Sequence, residues 1–211
     1  MSPIAAILAV AFAGAASPAA PAPSALNVPP IVVDVALLTD VSPMVVSAAI
    51  EETQALFRSA GVKFIWRRGQ STLGALRVLL SAERGPLRGG ATPLGWLDFE
   101  NGEPAREIHL SYANAEDFME QSREVVGVVG QKTLAERYHL LGRALGRALA
   151  HELGHYLLAT PTHTPKGLLK GTRSAYEFFS PDRSSFAMDV AERRLVAARV
   201  LKEFDLARRR N

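Results

Sequence analysis

The sequence predicts an α+β fold: a small mixed, twisted sheet packed on one long helix, with a further helix at the C-terminal end. Two observations carry this. Short β-rich runs are interspersed with helical stretches, and no internal repeat organises them. Residues 132–159 sustain one helical pattern that Pro161 stops, long enough to span a sheet.

The elements follow in order. Residues 31–38 are β-rich and almost continuously apolar, as a buried strand is. Residues 42–60 carry helical periodicity, with Val46, Ile50, Leu56 and Phe57 among the apolar positions and Gly61 after the end. Strands are expected at 62–66 and 76–81, and a Gly/Pro-rich loop at 85–93. Two more strands, 95–99 and 107–112, flank Asn101-Gly102; a hairpin-like reversal is expected there, through a connection longer than a two-residue turn. A short helix over 115–123 precedes the long one, and residues 184–208 form the last, amphipathic helix.

Composition bounds the function. The chain has 211 residues, 48% hydrophobic and 21% charged, which suits one globular domain, here 31–211. The net charge of +3 is mild, and much of the excess sits in Arg208-Arg209-Arg210, read as a solvated tail. No nucleic-acid-binding motif is present, so nucleic acid is not an expected partner. Cysteine is absent, so a metal would have to be held by His, Asp or Glu.

Residues 4–16 form an apolar run too short for a comfortable membrane span, followed by Ala13-Gly14-Ala15 before Ala16. Residues 1–16 therefore read as a signal peptide and 17–30 as an Ala/Pro-rich leader. A secreted or periplasmic protein is expected, monomeric and without a stable span once the signal is cleaved. An uncleaved anchor or a plain tail is the alternative, since no Lys or Arg precedes the apolar run.

The chemistry concentrates at His151-Glu152-Leu153-Gly154-His155. Residues four apart on a helix share a side, so His151 and His155 can offer both imidazoles to one ion. Glu152 sits about 100° further around the axis, where it can face the ion without binding it. The flanks, 148–150 and 156–159, are apolar apart from Tyr156, and three polar side chains in a buried helix are costly without a partner. A third ligand is expected downstream. His163 is the best candidate, past the break at Thr160-Pro161-Thr162, and Glu177 is its rival. One Zn2+ with three protein ligands and an open position is the catalytic pattern. Zinc lowers the pKa of bound water toward about 7, and Glu152 is the expected general base.

The stretch HELGHYLLATPTHTPKGLLKG resembles the active-site segment of zincin metallopeptidases. It is most similar to a group of exported bacterial proteins whose segment runs HEIGHxLLGxxxHSxxGIMR, with His151, Glu152, His155, His163 and Gly167 at matching positions. Residues 60–67, AGVKFIWR, resemble that group's AGVxxxWR stretch. The resemblance implies a zinc peptidase with its sheet over the active-site helix, its edge strand, 95–99, able to pair with an extended peptide. Pro161 stands where metzincins have their third histidine, Leu158 at their glycine, and Leu169 at the methionine of GIMR. Met188 could replace that methionine, though packing within the last helix is simpler.

Other residues receive structural readings first. Tyr156 and Tyr176 could steady an oxyanion but more simply belong to the core. Arg143 and Arg147 are expected to snorkel or pair with acids, and Gly142, Gly146 and Gly154 to let the helix approach the sheet. His109 and His139 are read as structural. The expected function is hydrolysis of peptide bonds; a non-catalytic zinc-binding module and a hydrolase of a non-peptide amide are the alternatives.

Overall fold

The computed structural model describes residues 29–69, 75–87 and 92–210. The expected signal peptide, most of the leader and part of the 85–93 loop lie outside the described residues. Among the described residues five strands form one sheet: β1 (Ile31–Leu37), β2 (Phe64–Arg68), β3 (Leu76–Ser81), β4 (Gly95–Glu100) and β5 (Glu103–Ser111), in the order β2-β1-β3-β5-β4. The pairs β1–β2, β1–β3 and β3–β5 are parallel, and β4 lies antiparallel along β5 at one end of the sheet. The sheet is thus mixed, as expected.

Among the described residues six α-helices accompany it: α1 (Pro43–Phe57), α2 (Tyr112–Gln121), α3 (Arg123–Val126), α4 (Leu134–Leu158), α5 (Ala175–Phe179) and α6 (Val190–Arg210). None of the described helices is long and apolar enough to cross a membrane. The core joins sheet and helices: Val33, Val78 and Ile108 meet Phe57, Leu145 and Leu153, all essentially inaccessible to water.

Several expectations are corrected. The β4–β5 connection is the two-residue turn Asn101-Gly102, because β5 begins at Glu103 rather than 107. Both turn residues have positive φ (52° and 83°), the conformation whose twist matches a hairpin and which Asn-Gly tolerates best. Pairing resumes at Glu100–Glu103 and shifts register between Leu97 and Phe99. The second strand starts two residues later than expected, and the last helix starts at Val190, after a single tight turn at Ser184–Phe186. Helices α3 and α5 were not expected; each is too short for periodicity to reveal.

Helix α4 opens with Thr133 and Glu136 in a reciprocal capping box. Gly142 and Gly146 serve a different approach from the expected one, since they face α1, not the sheet. A Cβ on Gly142 would lie 2.4 Å from the Ala48 Cβ, and one on Gly146 would lie 2.6 Å from the Ala49 carbonyl. The two helices therefore touch backbone to backbone.

Arg147 does not snorkel. It is wholly buried, donating from Nε to Glu52 Oε1 at 2.8 Å and from its terminal nitrogens to the carbonyls of Glu177 and Asp182. Arg183 donates to the other Glu52 oxygen at 2.7 and 3.0 Å. Burial pushes the Glu52 carboxyl up, but hydrogen bonds from Arg183 and Arg147 outweigh it and hold the group below its ordinary value. This pair ties α1, α4 and the segment around 177–183 together.

Candidate metal centre

The centre is built on the last two turns of α4, where almost every residue from Leu141 to Leu157 is buried. His151 Nδ1 lies 2.9 Å from the Leu168 carbonyl oxygen, and His155 Nδ1 lies 2.7 Å from that of Thr160. A carbonyl only accepts, so each ring donates from Nδ1–H, and its Nε2 then carries a lone pair. These Nε2 atoms converge: His155 to His151 at 3.1 Å, and His151 to His163 at 3.3 Å. An ion bound tetrahedrally about 2.0–2.1 Å from each nitrogen would separate them by about 3.3–3.4 Å. The His151–His163 and His155–His151 separations match that spacing closely, and all three ligand atoms lie within 4.8 Å of one another. Together they are the one group among the described residues that could hold a metal ion.

Backbone turns deliver the two carbonyls. Ala159 ends α4 in the left-handed region, φ 48° and ψ 46°, and the Thr160 N–H returns to the His155 carbonyl at 3.2 Å. That reversal points the Thr160 oxygen back at its own helix. Beyond it, Thr164 N–H donates to the Leu169 carbonyl at 2.9 Å and Gly167 adopts φ 76°, so the loop folds onto α4. Leu168 and Leu169 are buried beneath it, and a Cβ on Gly154 would lie 2.9 Å from a methyl of each. Gly154 thus serves this loop, not the sheet. Gly171 leaves room for His163, whose ring carbon would lie 3.0 Å from an added Cβ.

Burial, reinforced by the neighbouring His155, pushes the His151 pKa down to about 3. The ring is therefore neutral at physiological pH, the state a metal ligand needs.

Glu152 is buried and lines the same cleft of about 510 Å³ as the three histidines. Its neighbour is Gly95 at the start of β4, where a Cβ would lie 3.3 Å from Glu152 Cγ and 3.1 Å from the His109 carbonyl. The cleft is also walled by Leu97 and Phe99 of β4 and by Phe118 and Phe178.

The remaining candidates separate cleanly. Glu177 is not in the group: it caps α5 with Ser174 and pairs with Lys170 and Arg173. Tyr156 is packed into the core, Tyr176 is exposed, and neither lines the cleft. Met188 is buried ahead of α6 rather than within it. His109 stacks flat on Trp96 with ring centres 4.8 Å apart, and His139 contacts Arg143 at 2.8 Å, in keeping with structural roles. Sequence reasoning missed Gly95, the Leu168 and Thr160 carbonyls, and Arg173. Only Gly95 left a trace, as a glycine opening a strand, where close approach is a common reason.

No family model matches the chain, and no curated protein does. Among solved structures the chain is similar to archaemetzincin from Methanopyrus kandleri. The TM-score is 0.49 and the identity 16%, over 87% of this chain and 99% of that one.

Proposed function

We propose that this protein is a zinc-dependent hydrolase of peptide bonds, binding one Zn2+ through His151, His155 and His163, with Glu152 as general base. The observation that carries the reading is the convergence of three Nε2 atoms, two of them on rings tethered through Nδ1, beside a buried glutamate in an open cleft. Zinc in such a site supplies a Lewis acid that acidifies water and polarises a carbonyl oxygen. The protein's own groups do the rest. Glu152 takes a proton from the attacking water and delivers it to the departing amine nitrogen as the C–N bond breaks. Strand β4, at the end of the sheet and against Glu152, orients an extended peptide along its edge. The apolar lining from β4, Phe118 and Phe178 keeps bulk water from the reacting bond. Export through residues 1–16 and a monomeric state belong to the same proposal.

The test is to purify the protein, measure its zinc content, and assay a peptide library with wild type, Glu152→Gln and His163→Ala. Glu152→Gln should retain zinc and lose roughly 10²–10⁴ in rate; full activity would remove Glu152 from the mechanism. His163→Ala should bind zinc more weakly, and unchanged affinity would remove His163 from the ligand set. Zinc binding without hydrolysis would favour a binding module. Cleavage confined to non-peptide amides would move the substrate class.

A further inference from the structure

We infer that Arg173 is a positioning residue for the metal centre: its guanidinium holds the Leu168 carbonyl that orients the His151 imidazole. The inference rests on the metal reading above. The Arg173 side chain is only 3% exposed and lies with its guanidinium carbon 3.6 Å from the centre of the Phe186 ring. One terminal nitrogen donates to two successive carbonyls, those of Gly167 and Leu168, the latter at 3.1 Å. The other reaches the Ser185 carbonyl at 3.2 Å and Glu177 Oε1 at 3.4 Å.

The Leu168 oxygen thus accepts twice, from Arg173 and, at 2.9 Å, from His151 Nδ1. A carbonyl has two lone pairs, and here both are used. The peptide so gripped follows Gly167, whose left-handed φ of 76° gives the backbone few local restraints of its own. Arg173 is anchored outside the loop it holds by the Phe186 ring and the Ser185 carbonyl, and it also pairs with Glu177. Its planar fork lets one nitrogen hold the Gly167 and Leu168 carbonyls while the other holds Ser185 and Glu177; a lysine ammonium is a point charge without that geometry. Loss of the fork leaves the Leu168 peptide free to rotate, and His151 then loses the acceptor that selects its Nδ1–H tautomer. Partners of this kind, one step removed from the metal, typically change metal affinity 10–100-fold.

The experiment uses the full chain as wild type, Arg173→Lys, Arg173→Gln and, as a control, Arg183→Gln. Arg183→Gln disturbs the buried Glu52 pair without touching residues 167–168. Two quantities are read: zinc affinity by chelator competition, and the ¹⁵N shifts of the His151 ring in metal-free protein near neutral pH. Wild type should show a single Nδ1–H tautomer. Both Arg173 variants should weaken zinc roughly 10–100-fold and give a tautomer mixture, while the control changes neither. Wild-type tautomer and affinity in the Arg173 variants overturn the inference, as does an equal loss in Arg183→Gln. So does a wild-type His151 that is mixed or protonated at Nε2, a result independent of whether any variant folds. A wild type that binds no zinc defeats the metal reading instead, and the ring shifts still decide the role of Arg173.

Discussion

Arg147 and His151 stand one turn apart on α4, both carried into the interior, and the surroundings treat them in opposite ways. Around Arg147 the hydrogen bonding closes on itself: Glu52 and two backbone carbonyls take its donors, and Phe186 lies 5.1 Å from the guanidinium carbon. Around His151 it stays half open, with one nitrogen tied to Leu168 and the other turned toward two more imidazoles in a cleft. A buried polar group that is structural, as Arg147 is, here has each of its nitrogens partnered. One that serves chemistry is fastened at its back and unspent in front. Spacing alone does not tell the two apart, because Arg143, Arg147, His151 and His155 follow the same four-residue step; in the sequence only residue type separates them.

That contrast can be broken from either end. The largest stability effect is expected at the closed end. Glu52→Gln leaves Arg147 buried with its charge uncompensated, at a cost of about 3–5 kcal/mol read by urea unfolding. Zinc affinity of the folded fraction should be unchanged; a matching loss of affinity would mean that the two ends of α4 are one unit. Acid should act on the open end. His151 has a folded pKa depressed to about 3 against an ordinary 6.5, so the unfolded chain binds the proton that the folded one refuses. The contribution is present above about pH 6.5 and is lost as pH falls toward 3. Metal-free protein should therefore lose stability across that window, and a His151→Gln variant should lose less of it. The smallest effect belongs to Ala159→Gly. An L-residue in the left-handed region costs about 1–2 kcal/mol, and the extra freedom of unfolded glycine offsets about 0.5–1 of that. A net gain of about 0.5–1 kcal/mol in unfolding free energy, read as a raised urea midpoint, is expected; a loss would show that Ala159 is not strained as the turn demands.

How much of this was legible varies with distance along the chain. The pairing of His151 with His155 follows from helical pitch, and Glu152 from its place on the next residue. His163 was reachable by reasoning about a proline break, because a short loop has few ways to return. The strands at 31–37 and 76–81 and the long helix were readable from apolar patterning. The two-residue turn at Asn101-Gly102 was hidden because Glu103-Pro104-Ala105-Arg106 do not look like a strand, yet their backbone pairs with β4 as far as Glu100. The glycines of α4 were rightly read as contact points and wrongly assigned, since periodicity says that a face is tight but not what lies against it.

By itself, then, the sequence determined that His151 and His155 could share one ion and that they lie on a helix too apolar to be a surface. Those are consequences of pitch and hydropathy, which act over a few residues. Tertiary structure alone decided that Leu168 and Thr160 supply the carbonyls, that Gly95 opens the wall beside Glu152, and that Arg173 reaches across the loop to hold it. Each depends on backbone oxygens or on close approach between distant segments, of which residue type and spacing carry at most the trace of a glycine such as Gly95.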